Sequence, residues 1–102
     1  MVAVLNETNF DAEVLNSEIP VLVDFAATWC GPCRALAPVL DKLSADVGVS
    51  AKVVKVDIDE SPELANRYEI RSLPTILVFK KGEITGKILG LTTKEKLSDL
   101  LA

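Results

Sequence analysis

The only two cysteines of the 102-residue chain sit three positions apart, in Trp29-Cys30-Gly31-Pro32-Cys33. Two thiols at that spacing can close a small-ring disulfide with each other and reopen it. No other cysteine offers an internal partner, so the pair either cycles that bond or lends both thiols to something outside the chain. Histidine is absent, which removes Ser-His-Asp and Cys-His catalysis together with His-ligated metals. A zinc site normally takes four ligands, so it would need two chains, each giving its cysteine pair. A static staple closing so short a loop would restrict the unfolded chain little. The third alternative is a pair of inert buried thiols, and Trp29 and a strand-to-helix position argue against it.

Cys30 falls between the apolar stretch Val21-Leu22-Val23-Asp24-Phe25-Ala26 and an amphipathic segment that begins at about Cys33. At a helix start, unpaired N–H groups and the helix dipole favour a thiolate, the reactive form of the thiol. Cys33 lies one turn on, where β-carbons are about 5–6 Å apart, a gap that a disulfide closes with a small adjustment. Gly31 permits close approach of another chain, and Pro32 sets φ where no helical N–H is needed. This arrangement predicts a division of labour. Cys30, at an exposed tip, attacks a disulfide in another protein, and Cys33 then attacks Cys30 and releases the reduced product.

The elements that must position the pair alternate in period. Val2–Leu5 is a short apolar start. Asn6–Asn9 is rich in capping residues, and Phe10, Val14 and Leu15 give one face of a short helix. The Val21–Ala26 run is apolar on both faces except for Asp24, the pattern of a central covered strand. From about Cys33 to Val47, residues Leu36, Val39, Leu40 and Leu43 share a helical face, with Pro38 inside the pattern as a source of a kink. Val53–Ile58 reads as a second buried strand. Ser61-Pro62-Glu63 is an N-cap, N1 proline and acidic first turn, opening a helix through Arg67. Thr75–Phe79 and Ile84–Leu89 form a hairpin around Lys80-Lys81-Gly82-Glu83. Thr92 and Glu95 have capping-box spacing ahead of a last helix that turns Leu97, Leu100 and Leu101 inward. The order is β-α-β-α-β-α-β-β-α, an α/β architecture with parallel middle strands and an antiparallel final hairpin.

Composition bounds what such a fold can serve. The length fits one domain spanning residues 1–102, and 49 % hydrophobic residues suffice for a core. A net charge of −4, with no basic run longer than Lys80-Lys81, argues against nucleic acid or an anionic membrane as partner. The longest apolar runs are far too short to span a bilayer. Met1-Val2-Ala3-Val4-Leu5 lacks a basic region and a cleavage site, so the expectation is a reducing, cytoplasmic setting, or an organelle stroma or matrix if a targeting peptide has been removed. With no exposed heptad, the expected state is a monomer.

With Trp29-Cys30-Gly31-Pro32-Cys33 after Val23-Asp24-Phe25, and Leu73-Pro74-Thr75 well downstream, the chain resembles the thioredoxin family. The likeness runs through Pro38, Lys55-Val56-Asp57, Tyr68-Glu69-Ile70-Arg71, Phe79-Lys80-Lys81-Gly82 and Gly90. It implies a thioredoxin fold, a central mixed five-stranded sheet flanked by four helices. It implies reduction of protein disulfides by a redox-active Cys30–Cys33 pair, with no other cofactor and no metal. A thioredoxin reductase and disulfide-containing proteins are the implied partners, and Gly-Pro between the cysteines resembles the reducing branch of the family.

Asp24 is the one charge in an otherwise apolar strand, and burial would raise its pKa toward neutrality. The resemblance makes it the proton acceptor for Cys33, against the alternative of a strand-edge aspartate reaching solvent. The matching family lysine approaches that aspartate, whereas Lys55 read alone is equally an ordinary solvent-facing lysine. The resemblance gives Pro74 a cis peptide bond, against a trans proline that only starts a strand. A cis bond would turn the Leu73 backbone toward Cys30, free to pair with a substrate strand. Trp29, Gly31, Pro32, Leu73, Pro74, Gly90 and Leu91 then form the substrate-docking rim, unless Trp29 is plain core. Ala26 departs from the family, where many members carry a second large aromatic. Packing behind the cysteines should therefore be looser there, or filled from elsewhere. Arg34 and Ala35 depart too, in place of the frequent Lys and a larger residue.

Overall fold

The computed structural model describes residues 2–102. Its elements are β1 (Ala3–Leu5), a short π-helix (Asp11–Leu15), β2 (Val21–Ala26), α1 (Gly31–Val47), β3 (Lys52–Asp57), α2 (Pro62–Arg67), β4 (Thr75–Lys80), β5 (Glu83–Leu89) and α3 (Lys94–Leu101). The sheet order is β1-β3-β2-β4-β5, so β2 is central. It pairs in parallel with β3 and antiparallel with β4, and β1 runs parallel to β3. The expected mixed five-stranded sheet with four flanking helices is the fold observed.

All six residues of β2 are buried, because helices cover both faces of the sheet. Side chains alternate between those faces. Val21, Val23 and Phe25 join Phe10, Val14 and Phe79 on one side. Leu22 packs on the other with Leu36, Leu40 and Leu43 of α1 and Leu97 of α3. On the first side Phe10, Phe25, Tyr68 and Phe79 form a ring cluster, with centroids 5.5–5.9 Å apart in tilted and edge-on pairs. Trp29, the fifth aromatic, is outside that cluster. By alternation Asp24 and Ala26 fall on the same face as Leu22, toward α1, and this fixes where the buried charge sits.

Several local readings move by a residue or two. α1 begins at Gly31 rather than at about Cys33, so Cys30 becomes its N-cap with extended φ/ψ of −86°/117°. The start moves because Gly31 and Pro32 suit the first helical turn, and the Cys30 sulfur itself accepts the free N–H of Cys33 at 3.2 Å. The helix continues through Pro38 to Val47, with Pro38 on its exposed side. The first helix is π-wound: Asn16 N–H donates to the carbonyl of Asp11, five residues back. The last helix is capped by Thr93, whose hydroxyl accepts the Lys96 N–H at 3.3 Å. The expected Thr92–Glu95 box is thus replaced one residue along, because Thr93 is the residue with extended φ/ψ ahead of the first helical turn. Ser61 is the N-cap of α2, but its buried hydroxyl makes no capping bond.

The β4–β5 turn is made by Lys81 and Gly82, both with positive φ (51° and 82°). Two such residues match the twist of a two-residue hairpin. A side chain at Gly82 would also meet the carbonyl oxygen of Leu15 at 3.0 Å. The hairpin carries the chain back to the sheet end that holds the cysteines. There Gly90 (φ 84°) donates its N–H to the carbonyl of Pro74 at 2.8 Å, just beyond the Thr75–Leu89 pair.

Candidate active site: the dithiol and its two cavities

The cysteines sit where β2 hands over to α1. Cys33 begins the buried stripe of α1 that continues with Leu36, Leu40 and Leu43, so its sulfur is drawn against the sheet by the packing that holds the helix. Cys30 and Cys33 are joined as a disulfide with Cα atoms 5.3 Å apart. Cys30 is not the exposed tip expected from its place in the chain. It is 6 % exposed and Cys33 3 %, because Ala26, Ala27, Ile58 and Leu73 pack around both. What distinguishes the sulfurs is the space each residue borders.

Cys30 borders a groove of about 410 Å³ on the front of the molecule, walled by Trp29, Pro32, Ile70, Arg71 and Leu73. Trp29 is not core: it is 64 % exposed, and its indole N–H donates to Asp59 Oδ2 at 2.8 Å. That bond fixes the rim of the groove with an exposed apolar ring. Gly31 is open, with nothing near where a side chain would begin. Leu73-Pro74 is a cis peptide bond, and neither backbone group of Leu73 is engaged by another backbone group. Gly90 is held against Pro74 by its hydrogen bond, and Leu91 follows it with an exposed side chain. Gly90 and Leu91 do not line the groove itself; they continue the rim past Pro74.

Cys33 borders a different space, a bay of about 510 Å³ behind the disulfide, walled by Ala26, Ala37, Lys55 and Val56. Ala26, Ala27 and Ala37 carry too little side chain to fill it, so the packing behind the cysteines is looser, as the small residue at Ala26 implied. Asp24 is adjacent in the sheet on the same face. It is fully buried (0 % exposed) and neither carboxylate oxygen has a protein hydrogen-bond partner. Burial therefore pushes its pKa up to about 6, against a smaller downward pull from Lys55. Lys55 is aligned with Asp24 in the parallel β2–β3 register and half-buried, without forming a direct ion pair. Asp24 stands out in the sequence as the charge in an apolar strand, whereas Lys55 read alone is ambiguous and only the sheet register makes the two neighbours.

Residues that sequence reasoning did not assign to the site are Asp59, Ile58, Ile70 and Arg71. Asp59 follows β3 and Arg71 precedes β4 by four residues, both at the sheet end where the cysteines lie. Their spacing from Cys30 along the chain gave no signal, since the crossover connections alone bring them there. Among the described residues there is no group of three or more His, Cys, Asp or Glu side chains able to hold a metal ion, and no helix long and apolar enough to cross a membrane.

A five-stranded mixed sheet with a Cys-Gly-Pro-Cys pair capping its central helix, a buried carboxyl beneath and a cis-proline loop beside it defines a thiol–disulfide oxidoreductase. The family profile described as Thioredoxin matches residues 1–102. "Thioredoxin 1" of Nostoc sp. is 46 % identical over 99 residues, covering 97 % of this chain and 92 % of that protein. "Thioredoxin" of Rickettsia bellii is 45 % identical over 97 residues, covering 95 % and 92 %. "Thioredoxin M-type, chloroplastic" of Pisum sativum is 47 % identical over 98 residues, 96 % of this chain and 57 % of that protein. The chain belongs to the thioredoxin family, and its activity is reduction of protein disulfides by dithiol exchange.

Proposed function

We propose that the two cysteines have fixed and different roles, Cys30 attacking the target and Cys33 resolving. The observation that carries this is their division between two spaces, a front groove with an apolar rim at Cys30 and a rear bay with titratable neighbours at Cys33. The Cys30 thiolate attacks one sulfur of the target disulfide, and the other target sulfur leaves as a thiolate. Backbone N–H groups of the first helical turn, that of Cys33 among them, stabilise the Cys30 thiolate. Cys33 gives its proton to Asp24, whose pKa near 6 suits accepting and returning a proton near neutral pH. The Cys33 thiolate attacks Cys30, closing the internal disulfide and expelling the second target thiolate. Two electrons pass to the target, and the oxidised pair is then re-reduced.

Lys55 tunes Asp24 from the neighbouring strand. Trp29, Gly31, Pro32, Leu73, Pro74, Gly90 and Leu91 make the rim on which the target chain lies. The free backbone of Leu73 supports strand-like pairing with it. The protein works as a monomeric electron carrier of one domain with no cofactor beyond its disulfide, recharged by a thioredoxin reductase. A cytoplasmic or plastid setting is supported by bacterial and chloroplast relatives. Insulin reduction driven by dithiothreitol tests the roles. Cys30→Ser should lose all acceleration, whereas Cys33→Ser should accumulate disulfide-linked complexes with target proteins. Complexes trapped by Cys30→Ser instead would reverse the assignment.

A further inference from the structure

The chain has three arginines, and two are already engaged. Arg34 Nη1 donates to the carbonyl of Thr28 at 3.1 Å. Arg67 pairs with Asp11 at 2.8 Å and lies over the Phe10 and Tyr68 rings. Arg71 makes no ion pair and no side-chain hydrogen bond among the described residues. It is exposed, and it is the single charged residue lining the groove that Cys30 borders. Asp59, the acid that reaches the rim of this groove, is tied to the Trp29 indole through Oδ2. The groove beside the attacking thiol is therefore an apolar wall with one unpaired guanidinium.

We propose that Arg71 selects protein disulfides with a carboxylate side chain, Asp or Glu, close to the attacked cysteine. The apolar part of the target segment lies on Trp29 and Leu73 while the carboxylate meets the guanidinium, whose planar fork donates two parallel N–H···O bonds. The selection rests on the reading that Cys30 attacks from this groove. It is local: the net charge of −4 disfavours acidic partners in general, so a preference for them must come from a specific contact. A charge at an exposed rim acts mainly on the rate of productive encounter and is screened by salt.

Three disulfide-closed peptides, identical except for Glu, Gln or Lys beside the attacked cysteine, test this with the full chain in its reduced form. The expected result is that the Glu peptide is reduced about fivefold faster than the Lys peptide at low salt, the ratio shrinking toward one at high salt. Arg71→Gln should bring the low-salt ratio near one, Arg71→Lys should keep part of the preference, and Arg71→Glu should invert it. Because each ratio is taken within one variant, a general loss of activity cancels. An unmodified protein that reduces all three peptides equally, or a ratio unchanged in Arg71→Gln, overturns the selection by Arg71. A Cys30→Ser protein that still reduces the peptides overturns instead the reading that Cys30 attacks from this groove, whatever the ratios.

Discussion

The front and the rear of the disulfide are built on opposite rules. In front, the groove at Cys30 is edged by the exposed ring of Trp29, fixed by one hydrogen bond to Asp59, and the apolar rim continues past Pro74 to the exposed Leu91. Behind, Asp24 is a charge-bearing group shut away from solvent with neither oxygen hydrogen-bonded. Apolar surface left in water and a carboxyl taken out of it both cost free energy, so neither arrangement serves the fold. The first is what a surface needs in order to bind another chain, and the second is what a carboxyl needs in order to exchange a proton near pH 6. On the proposed reading, this end of the sheet gives up stability on both sides of one bond, for target docking in front and for proton exchange behind.

The largest expected effect comes from separating the sulfurs. Cys30→Ser should reduce insulin at no more than the dithiothreitol background, since no thiol then borders the groove. Cys33→Ser should still form the first mixed disulfide, seen as a covalent adduct in non-reducing gels. Equal behaviour of the two variants would break the front–rear distinction.

Next is the stability cost of the rear charge. A carboxyl whose pKa is about 6 when folded, against an ordinary value of 3.8, binds its proton more tightly in the folded protein. Its contribution is therefore unfavourable above pH 6, and stability rises as pH falls from about 6 to about 4. Over that window the shift corresponds to about 3 kcal/mol. Asp24→Asn should accordingly be more stable than the unmodified protein at pH 7 by about 2–3 kcal/mol, and the gain should disappear below about pH 4. Urea unfolding at a series of pH values measures both.

A smaller effect should follow from filling the bay. Ala26→Phe adds apolar surface to a space that is already open, so little repacking opposes it, and the expected gain is about 1 kcal/mol. By replacing solvent in the bay next to the buried carboxyl with apolar atoms, the ring would also make the charged form of Asp24 costlier and drive its pKa higher, a shift that NMR titration of the carboxyl would read. An unchanged titration would show that the bay and the carboxyl are independent. The smallest change concerns Lys55. Because its charge pulls the Asp24 pKa down, Lys55→Gln should raise that pKa, by less than burial itself does. A fall would mean that Lys55 does not act on Asp24 through its charge.

Much of this site was legible from residue types and order. Asp24 declares itself as the one charge in a run of apolar strand residues, and the hairpin from Thr75 to Leu89 is marked by Lys80-Lys81-Gly82-Glu83, of which only Lys81 and Gly82 form the turn. What was misread depended on packing. Cys30 stands next to an exposed tryptophan in sequence, yet Ile58 and Leu73, from elements far along the chain, close over it. Thr92 and Thr93 are equivalent as caps by type. Only the backbone path separates them, Thr93 taking the extended φ/ψ of an N-cap and accepting the Lys96 N–H.

The sequence by itself determined the chemistry available: a lone cysteine pair at a strand-to-helix junction, no histidine, one carboxyl inside the apolar central strand, and a fold order that closes with a hairpin and a helix. Those follow from covalent spacing and from apolar period, which are local. Only the tertiary structure decided what each group faces. The parallel register of β2 and β3 set Lys55 beside Asp24, small residues at Ala26 and Ala37 opened the bay behind Cys33, and the loops after β3 and before β4 brought Asp59 and Arg71 to the dithiol. Such neighbours are joined by crossover connections of many residues, and no spacing along the chain encodes a contact that sheet order alone creates.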